Sequence, residues 1–250
     1  MQALGAVMYR EAKIRATNVT FIFWDLFYPL AYLLVFGVGM TEAMGVSAAG
    51  FGGNYNAFFL AGVIGMASFG IASNTAWSFF MDRDNGIFYE MLTYPLTRAQ
   101  YLFGKVLFNL LIAVGQATIT VILARVILGI PIVWSGLPLL GAAVFFGTAG
   151  WFFFYAVFAL SIRRNDAFNT VTSVFYFVFL FASSMFYPIE PLPPIFRHIA
   201  AANPITWHVD VMRYATIGTG DPWQVGVQAA AFLAFTVATF LGALWALGRQ

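Results

Sequence analysis

Long apolar runs alternate with short polar connections along the whole chain, and the polar positions mark its organisation. Runs of about twenty residues with almost no charge fall at 19–40, 57–80, 102–128, 137–162, 167–187 and 224–247. Each is long enough to cross roughly 30 Å of hydrocarbon as a helix. Ahead of the first run, residues 2–17 set Leu4, Val7, Met8 and Ile14 on one stripe with Tyr9, Arg10 and Lys13 around it. That pattern predicts an amphipathic helix lying in the membrane interface, basic side towards anionic headgroups, with a frayed cytosolic tail as the alternative. The second run carries Gly62, Gly65 and Gly70 among Ser68, Ser73, Asn74, Thr75 and Ser78, which suits close packing against other helices rather than lipid.

Three connections stand out. The stretch 41–56 is glycine-rich and holds no Lys or Arg. Met81 to Gln100, MDRDNGIFYEMLTYPLTRAQ, is a polar island loaded with Ile87, Phe88, Tyr89, Met91, Leu92, Tyr94 and Pro95. A plain loop needs no such apolar load, whereas a short helix seated in a groove of a soluble partner does; an amphipathic loop resting on the membrane is the alternative. The segment 188–223 has prolines at 188, 191, 193, 194, 204 and 222, which forbid one continuous helix and leave two short ones, Pro194–Ala202 and Thr206–Ile217.

Composition fixes the class. Hydrophobic residues make up 61% of the chain and charged residues 9%, against about 25% charged in an ordinary soluble domain. The chain reads as one all-α polytopic membrane domain over 1–250. Its start lacks a compact apolar region with a small-residue cleavage site, so no removable signal peptide is expected. Arg10, Lys13, Arg15, Arg83, Arg98, Lys105, Arg163, Arg164 and Arg249 fall on one side of the six spans. Arg197 and Arg213 fall on the other, with Arg125 in a span near it. This bias predicts cytoplasmic termini and island, and an extracytoplasmic 188–223.

Catalytic chemistry finds few residues. There is no cysteine, no HExxH, no GxSxG and no glycine-rich phosphate loop, so ATP, if used, is handled by another chain. His198 and His208 are the histidines; His208, Asp210 and Arg213 could share a helix turn as a satisfied cluster, and a metal site would want more ligands at closer spacing. No catalytic residue, no metal and no nucleic acid partner is expected. Asp25 and Arg125 are the charges expected inside spans, both near an edge, where pairing or snorkelling accounts for them. Asn74 and Gln116 suit hydrogen bonds between helices. The aromatic fifth run, with Phe175, Tyr176, Phe177, Phe179, Phe181 and Phe186, reads equally as lipid contact or as an apolar wall for a lipid-like substrate.

In order, the residues resemble the type-2 (ABC-2) membrane subunits of ATP-binding-cassette exporters. The resemblance rests on Asp82-Arg83-Asp84-Asn85-Gly86, Glu90-Met91-Leu92, Tyr94-Pro95-Leu96-Thr97-Arg98 and Gly104-Lys105, then on Tyr187-Pro188, Leu192-Pro193, Asn203-Pro204 and Asp210 through Arg213. Among six-span members it looks most like the compact lipo-oligosaccharide and daunorubicin-type export permeases. The resemblance implies a homodimer, or a pair with a close paralogue, in a prokaryotic-type plasma (inner) membrane, bound to two cytoplasmic ATPases that hold the ATP and Mg. The coupling helix would lie within Asp82–Pro95, carrying Asp82, Arg83, Asp84, Gly86, Phe88, Glu90, Met91, Tyr94 and Pro95, beside the interfacial helix with Arg10, Lys13 and Arg15. Tyr187, Pro188, Pro193, Asn203, Pro204, Asp210 and Arg213 would belong to re-entrant outer helices capping the path. The substrate path would draw on Trp24, Asp25, Tyr28, Asn74, Phe175, Phe179 and Met185. The cargo would be a lipid, glycolipid or drug. The rival readings are an ion-coupled carrier or channel needing no ATPase, and a membrane enzyme depending on His208, Asp210 or Asp25.

Overall fold

The computed structural model describes residues 2–44 and 54–249. Most of the glycine-rich connection anticipated at 41–56 lies outside them. Among the described residues the regular elements are helices: α1 (Gln2–Thr17), α2 (Val19–Tyr32), a π-helical stretch (Leu33–Val38), α3 (Gly39–Met44), α4 (Tyr55–Asp84), α5 (Ile87–Met91), α6 (Arg98–Leu128), α7 (Leu137–Ser161), α8 (Asn165–Phe181), α9 (Pro194–Ala202), α10 (Pro204–Ile217) and α11 (Pro222–Leu247). α2, the π stretch and α3 run on as one rod.

Local chemistry sets the ends. Asn54 caps α4 by accepting from the Ala57 amide, and Gly86, at φ +79°, turns the chain from α4 into α5. Thr97 and Gln100 form a reciprocal capping box at the start of α6, 3.2 and 2.9 Å. Gly129, at φ +65°, ends α6. Asp221 and Pro222 start α11 as N-cap and first helical residue. The island therefore begins as helix: Met81–Asp84 is the last turn of α4.

Among the described residues, five stretches are long and apolar enough to cross a membrane: Phe23–Ala43, Tyr55–Asp84, Arg98–Leu128, Trp134–Ser161 and Pro222–Leu247. The run expected at 167–187 behaves differently. α8 has 17 residues and stops at Phe181, about 25 Å of helix. Side chains from downstream take its last carbonyls. Asn203 Nδ2 donates to Phe179 O at 2.9 Å and to Ala182 O at 2.6 Å, and the Tyr187 hydroxyl donates to Phe181 O. With those acceptors satisfied outside the helix, the chain leaves it and bends through 182–193.

α4 is the buried axis, as its small residues predict. Gly62 lies under the backbone of Met185, where an added Cβ would sit 2.5 Å from the carbonyl oxygen, and Gly65 admits Val209 and Met212 of α10. α7 packs between α4, α10 and α11, its Trp151 ringed by Phe69, Phe179, Phe232 and Phe235 at 4.6–5.7 Å between centroids. Trp151 Nε1 donates to His208 Nδ1 at 3.3 Å, and His208 Nε2 faces Ala143 O at 3.0 Å, so the buried imidazole is neutral with its proton on Nε2. α2 and the π stretch stand at the rim with Phe23, Trp24, Phe27, Tyr28, Val35 and Phe36 exposed, and α8 beside them exposes Val174, Phe177, Val178 and Phe181.

His208 fits only because residue 147 has no side chain: a Cβ there would lie 1.9 Å from Nε2. Gly147→Ala should destabilise the detergent-solubilised protein by about 1–3 kcal/mol, the usual cost of overpacking. Thermal unfolding reads it, and an unchanged midpoint contradicts the packing described.

Candidate functional site

Four charges meet at the end of the bundle where α1, α4 and α6 converge. Lys105 Nζ, fully buried, donates to Glu11 Oε1 at 2.9 Å and to Asp82 Oδ2 at 2.7 Å. Arg10 grips Asp82 with both terminal nitrogens, 2.9 and 3.2 Å, and reaches Glu11 at 3.0 Å. The Tyr101 hydroxyl also donates to Asp82. Two cations face two carboxylates, so the cluster is neutral within itself and its members' hydrogen-bonding capacity is largely filled, the condition under which buried charge is tolerated. α1 comes close enough because the residue before Lys105 is Gly104, whose missing side chain makes room for Val7.

This places α1 differently from its expected role. Arg10 turns inward to Asp82. Arg15 also turns inward, pairing with Asp25 and donating to Asn109 Oδ1 at 2.6 Å. Of the three basic residues expected to face headgroups, Lys13 is exposed. The reason is energetic: carboxylates on α2 and α4 offer close partners inside the bundle, stronger than diffuse attraction to a screened surface.

The coupling stretch splits between anchor and surface. Asp82 and Arg83 are buried, and Arg83 donates to Leu160 O at 2.9 Å and to Ile162 O, tying α4 to the end of α7. α5 has five residues. Phe88 is buried edge-on against Phe79 and Tyr101, with centroids 5.5 and 5.4 Å away. Met91 is half-buried, while Asp84, Gly86, Tyr89, Glu90, Tyr94 and Pro95 are exposed. The exposed residues of this stretch therefore lie within 84–95, with Asp82, Arg83 and Phe88 beneath them.

A cavity of about 560 Å³ opens between α2, α4, α6 and α8. It gathers Trp24, Asp25, Tyr28 and Asn74 of the expected path, together with Ser73, Gln116, Ser173 and Tyr176. Asp25, its one lining acid among the described residues, is neutralised by Arg15, and Gln116 Nε2 donates to the Asp25 carbonyl at 2.6 Å. Phe175 and Phe179 lie elsewhere, against Phe154 and Trp151. Met185 packs against Gly62.

In the outer segment, Asn203 caps two elements at once: besides holding the end of α8, its Oδ1 accepts from the Ile205 amide at the start of α10, and Pro204 follows as the first helical residue. Arg213 pairs with Asp210, donates to Ser184 O at 2.7 Å and lies 3.9 Å over the Phe58 ring. Asp210 accepts from Ser184 Oγ at 2.7 Å and Gln228 Nε2 at 2.8 Å. His208 does not join them, because it lies on the face of α10 turned to α7, and His198 is exposed on α9. Tyr187 and Pro188 are half-buried in the bend, and Pro193 precedes α9. No cluster of three metal-ligating side chains occurs among the described residues.

Periodicity did not reveal Glu11, Tyr101 and Lys105 as one cluster. The available signal was Lys105 set inside an apolar run directly after a glycine.

Comparison with known proteins gives a match to the family model described as ABC-2 type transporter, over residues 2–217. The chain is 25% identical over 187 residues to "Putative transport permease ycf38" of Porphyra purpurea, covering 74% of this chain and 64% of that protein. It is 24% identical over 216 residues to the protein of the same name from Pyropia yezoensis, covering 83% and 74%. The chain thus spans somewhat under two thirds of the Porphyra protein's length.

Removing one partner from the buried cluster strands its counter-charges. Lys105→Met should cost about 3–5 kcal/mol of stability, whereas Asp82→Asn combined with Lys105→Met restores neutrality and should lose clearly less than the two single losses added. A double-mutant cycle on thermal unfolding measures this, and strict additivity excludes the coupling.

Proposed function

The chain belongs to the ABC-2 type transporter family, and from that premise we propose that it is the permease subunit of an ATP-driven exporter, paired with a second copy or close paralogue and driven by two ABC ATPases. The multi-pass bundle and the family make it a membrane permease of an ABC transporter. The finer reading is carried by one observation, the division of α5 into a pinned aromatic and an exposed rim. Phe88 fixes the short helix to α4 and α6, so a push delivered on Tyr89, Glu90 or Tyr94 is borne by the spans rather than absorbed by a loop. The ATP and Mg belong to the partner chains.

α8 together with the bend 182–187 makes the sixth crossing, and α9 and α10 form the re-entrant outer cap. An even number of crossings puts both ends of the described chain on one side. The excess of Lys and Arg there makes that side the cytoplasm. The second copy covers the rim formed by α2, α8 and the exposed Asn74–Trp77 side of α4, closing the cavity from outside. The cargo is amphipathic: the cavity offers aromatic walls and the hydroxyl and amide groups of Tyr28, Ser73, Asn74, Ser173 and Tyr176, with its single carboxylate already neutralised. A lipid, glycolipid or lipo-oligosaccharide, or a drug with a hydroxylated portion, fits that chemistry. The paired state of Asp25 also weighs against an ion-coupled carrier, which needs a titratable group free to load and release its ion.

Co-purification with the ATPase and reconstitution test the reading. Glu90→Ala or the pair Tyr94→Ala, Pro95→Ala should lower cargo-stimulated ATP hydrolysis about tenfold or more, equivalent to about 1.4 kcal/mol of lost coupling, with unfolding unchanged. Unaltered stimulation, or transport by the chain alone under an ion gradient, overturns it.

A further inference from the structure

A second polar cavity, of about 550 Å³, opens at the α5 end of the bundle, between the ends of α4, α7 and α11. Its walls include Arg83, Asp84, Tyr89, Arg163, Trp245 and Arg249. Three guanidinium groups thus face one carboxylate, and the like charges of Arg83 and Arg163 repel across it.

Basic residues at helix C-termini commonly answer the helix dipole. That accounts for Arg83, which donates to two carbonyls at the end of α7. It does not account for the others. Among the described residues, neither Arg163 nor Arg249 has a carboxylate within ion-pair distance or a hydrogen bond from its guanidinium, while the neighbouring Arg164 is satisfied by Asp166 at 2.7 Å. Arg249 lies 3.5 Å over the Trp245 ring. Stacking of that kind fixes the plane of the fork and leaves its in-plane N–H groups free for a bidentate acceptor.

The acceptor such forks suit is a phosphate oxyanion, for which they provide paired charge-assisted hydrogen bonds. Tyr89 adds a hydroxyl donor to the same walls. The position selects the kind of phosphate. Trp245 is 60% exposed at the end of the last span. An indole in that position sits at headgroup level, and basic pockets between spans at that level hold phosphorylated headgroups.

We propose that this cavity binds a phosphate ester, the headgroup of an anionic phospholipid, bridging Tyr89 of the coupling segment to the α7–α8 turn and to the end of α11. The inference uses the multi-pass membrane placement and is independent of cargo and ATPase. The bound phosphate relieves the repulsion between Arg83 and Arg163 and joins three elements that no side-chain ion pair joins among the described residues.

The test uses the purified chain in nanodiscs of phosphatidylcholine, with and without phosphatidylglycerol, and in detergent with inorganic phosphate at matched ionic strength. Native mass spectrometry counts retained lipid, and thermal unfolding against lipid fraction gives an apparent affinity. Arg163→Gln with Arg249→Gln should weaken anionic-lipid binding about thirtyfold. Lys13→Gln with Arg98→Gln, which removes two exposed charges outside the cavity, should change it less than about fivefold. A shift needing the lipid assigns the headgroup; the same shift with inorganic phosphate, lost in the cavity variant, assigns free phosphate to the same forks. Equal losses in the two double variants overturn the proposal. So does wild-type protein that retains phosphatidylglycerol no better than phosphatidylcholine, a result that needs no variant to fold.

Discussion

The structure depends on the burial of Lys105. An ammonium taken wholly out of water carries a penalty of several kcal/mol unless partners surround it, and here the partners come from two other helices, Glu11 on α1 and Asp82 on α4. Such a charge does not tolerate approximate placement. It fixes the rotation of α6, the height of α1 along α6 and the last turn of α4 together. Arg10 and Tyr101 complete the set by taking the remaining lone pairs of Asp82. Around this fixed point the apolar packing has latitude, because lipid and the bundle interior are alike in polarity and side-chain size alone discriminates between them.

The same logic explains the outer segment. Asn203, Asp210 and Arg213 are short-range fasteners: one amide closes α8 and opens α10, and one ion pair gathers α4, α10, α11 and the bend after α8. Without the Asn203 amide, the carbonyls of Phe179 and Ala182 would lose that donor in an apolar surround.

Much of this was legible in the chain. The apolar runs gave five of the long helices to within a few residues. Pro194 marked the first outer helix, the second was expected at Thr206 and starts two residues earlier at Pro204, and the glycines of α4 foretold its burial. What stayed hidden depends on partners distant in sequence. α8 ends at Phe181 because of a side chain at 203, and nothing within its own aromatic run announces that. Arg10 and Arg15 looked like a surface stripe because periodicity gives the face of a helix but not what lies opposite. The site residues divided in the same manner: Trp24, Asp25, Tyr28 and Asn74 converge on one cavity. Phe175 and Phe179 were drawn instead into the aromatic cluster around Trp151 and Phe154, where ring packing gains more than exposure to a half-polar space.

The link from Arg15 to Asp25 makes the cavity's electrical character a property of a helix outside its walls. Among the described residues α1 contributes none to the lining, yet it supplies the positive charge that pairs with Asp25, the one lining acid there. Arg10 and Arg15 are five residues apart on one rigid rod, about 7.5 Å, so the rod cannot slide without disturbing both pairs. If α1 moved by one turn, Asp25 would face the cavity uncompensated, and a compartment suited to neutral, hydroxylated groups would become one that holds cations. The charge of that space is thus written in the register of α1 along α6, the register that Lys105 keeps.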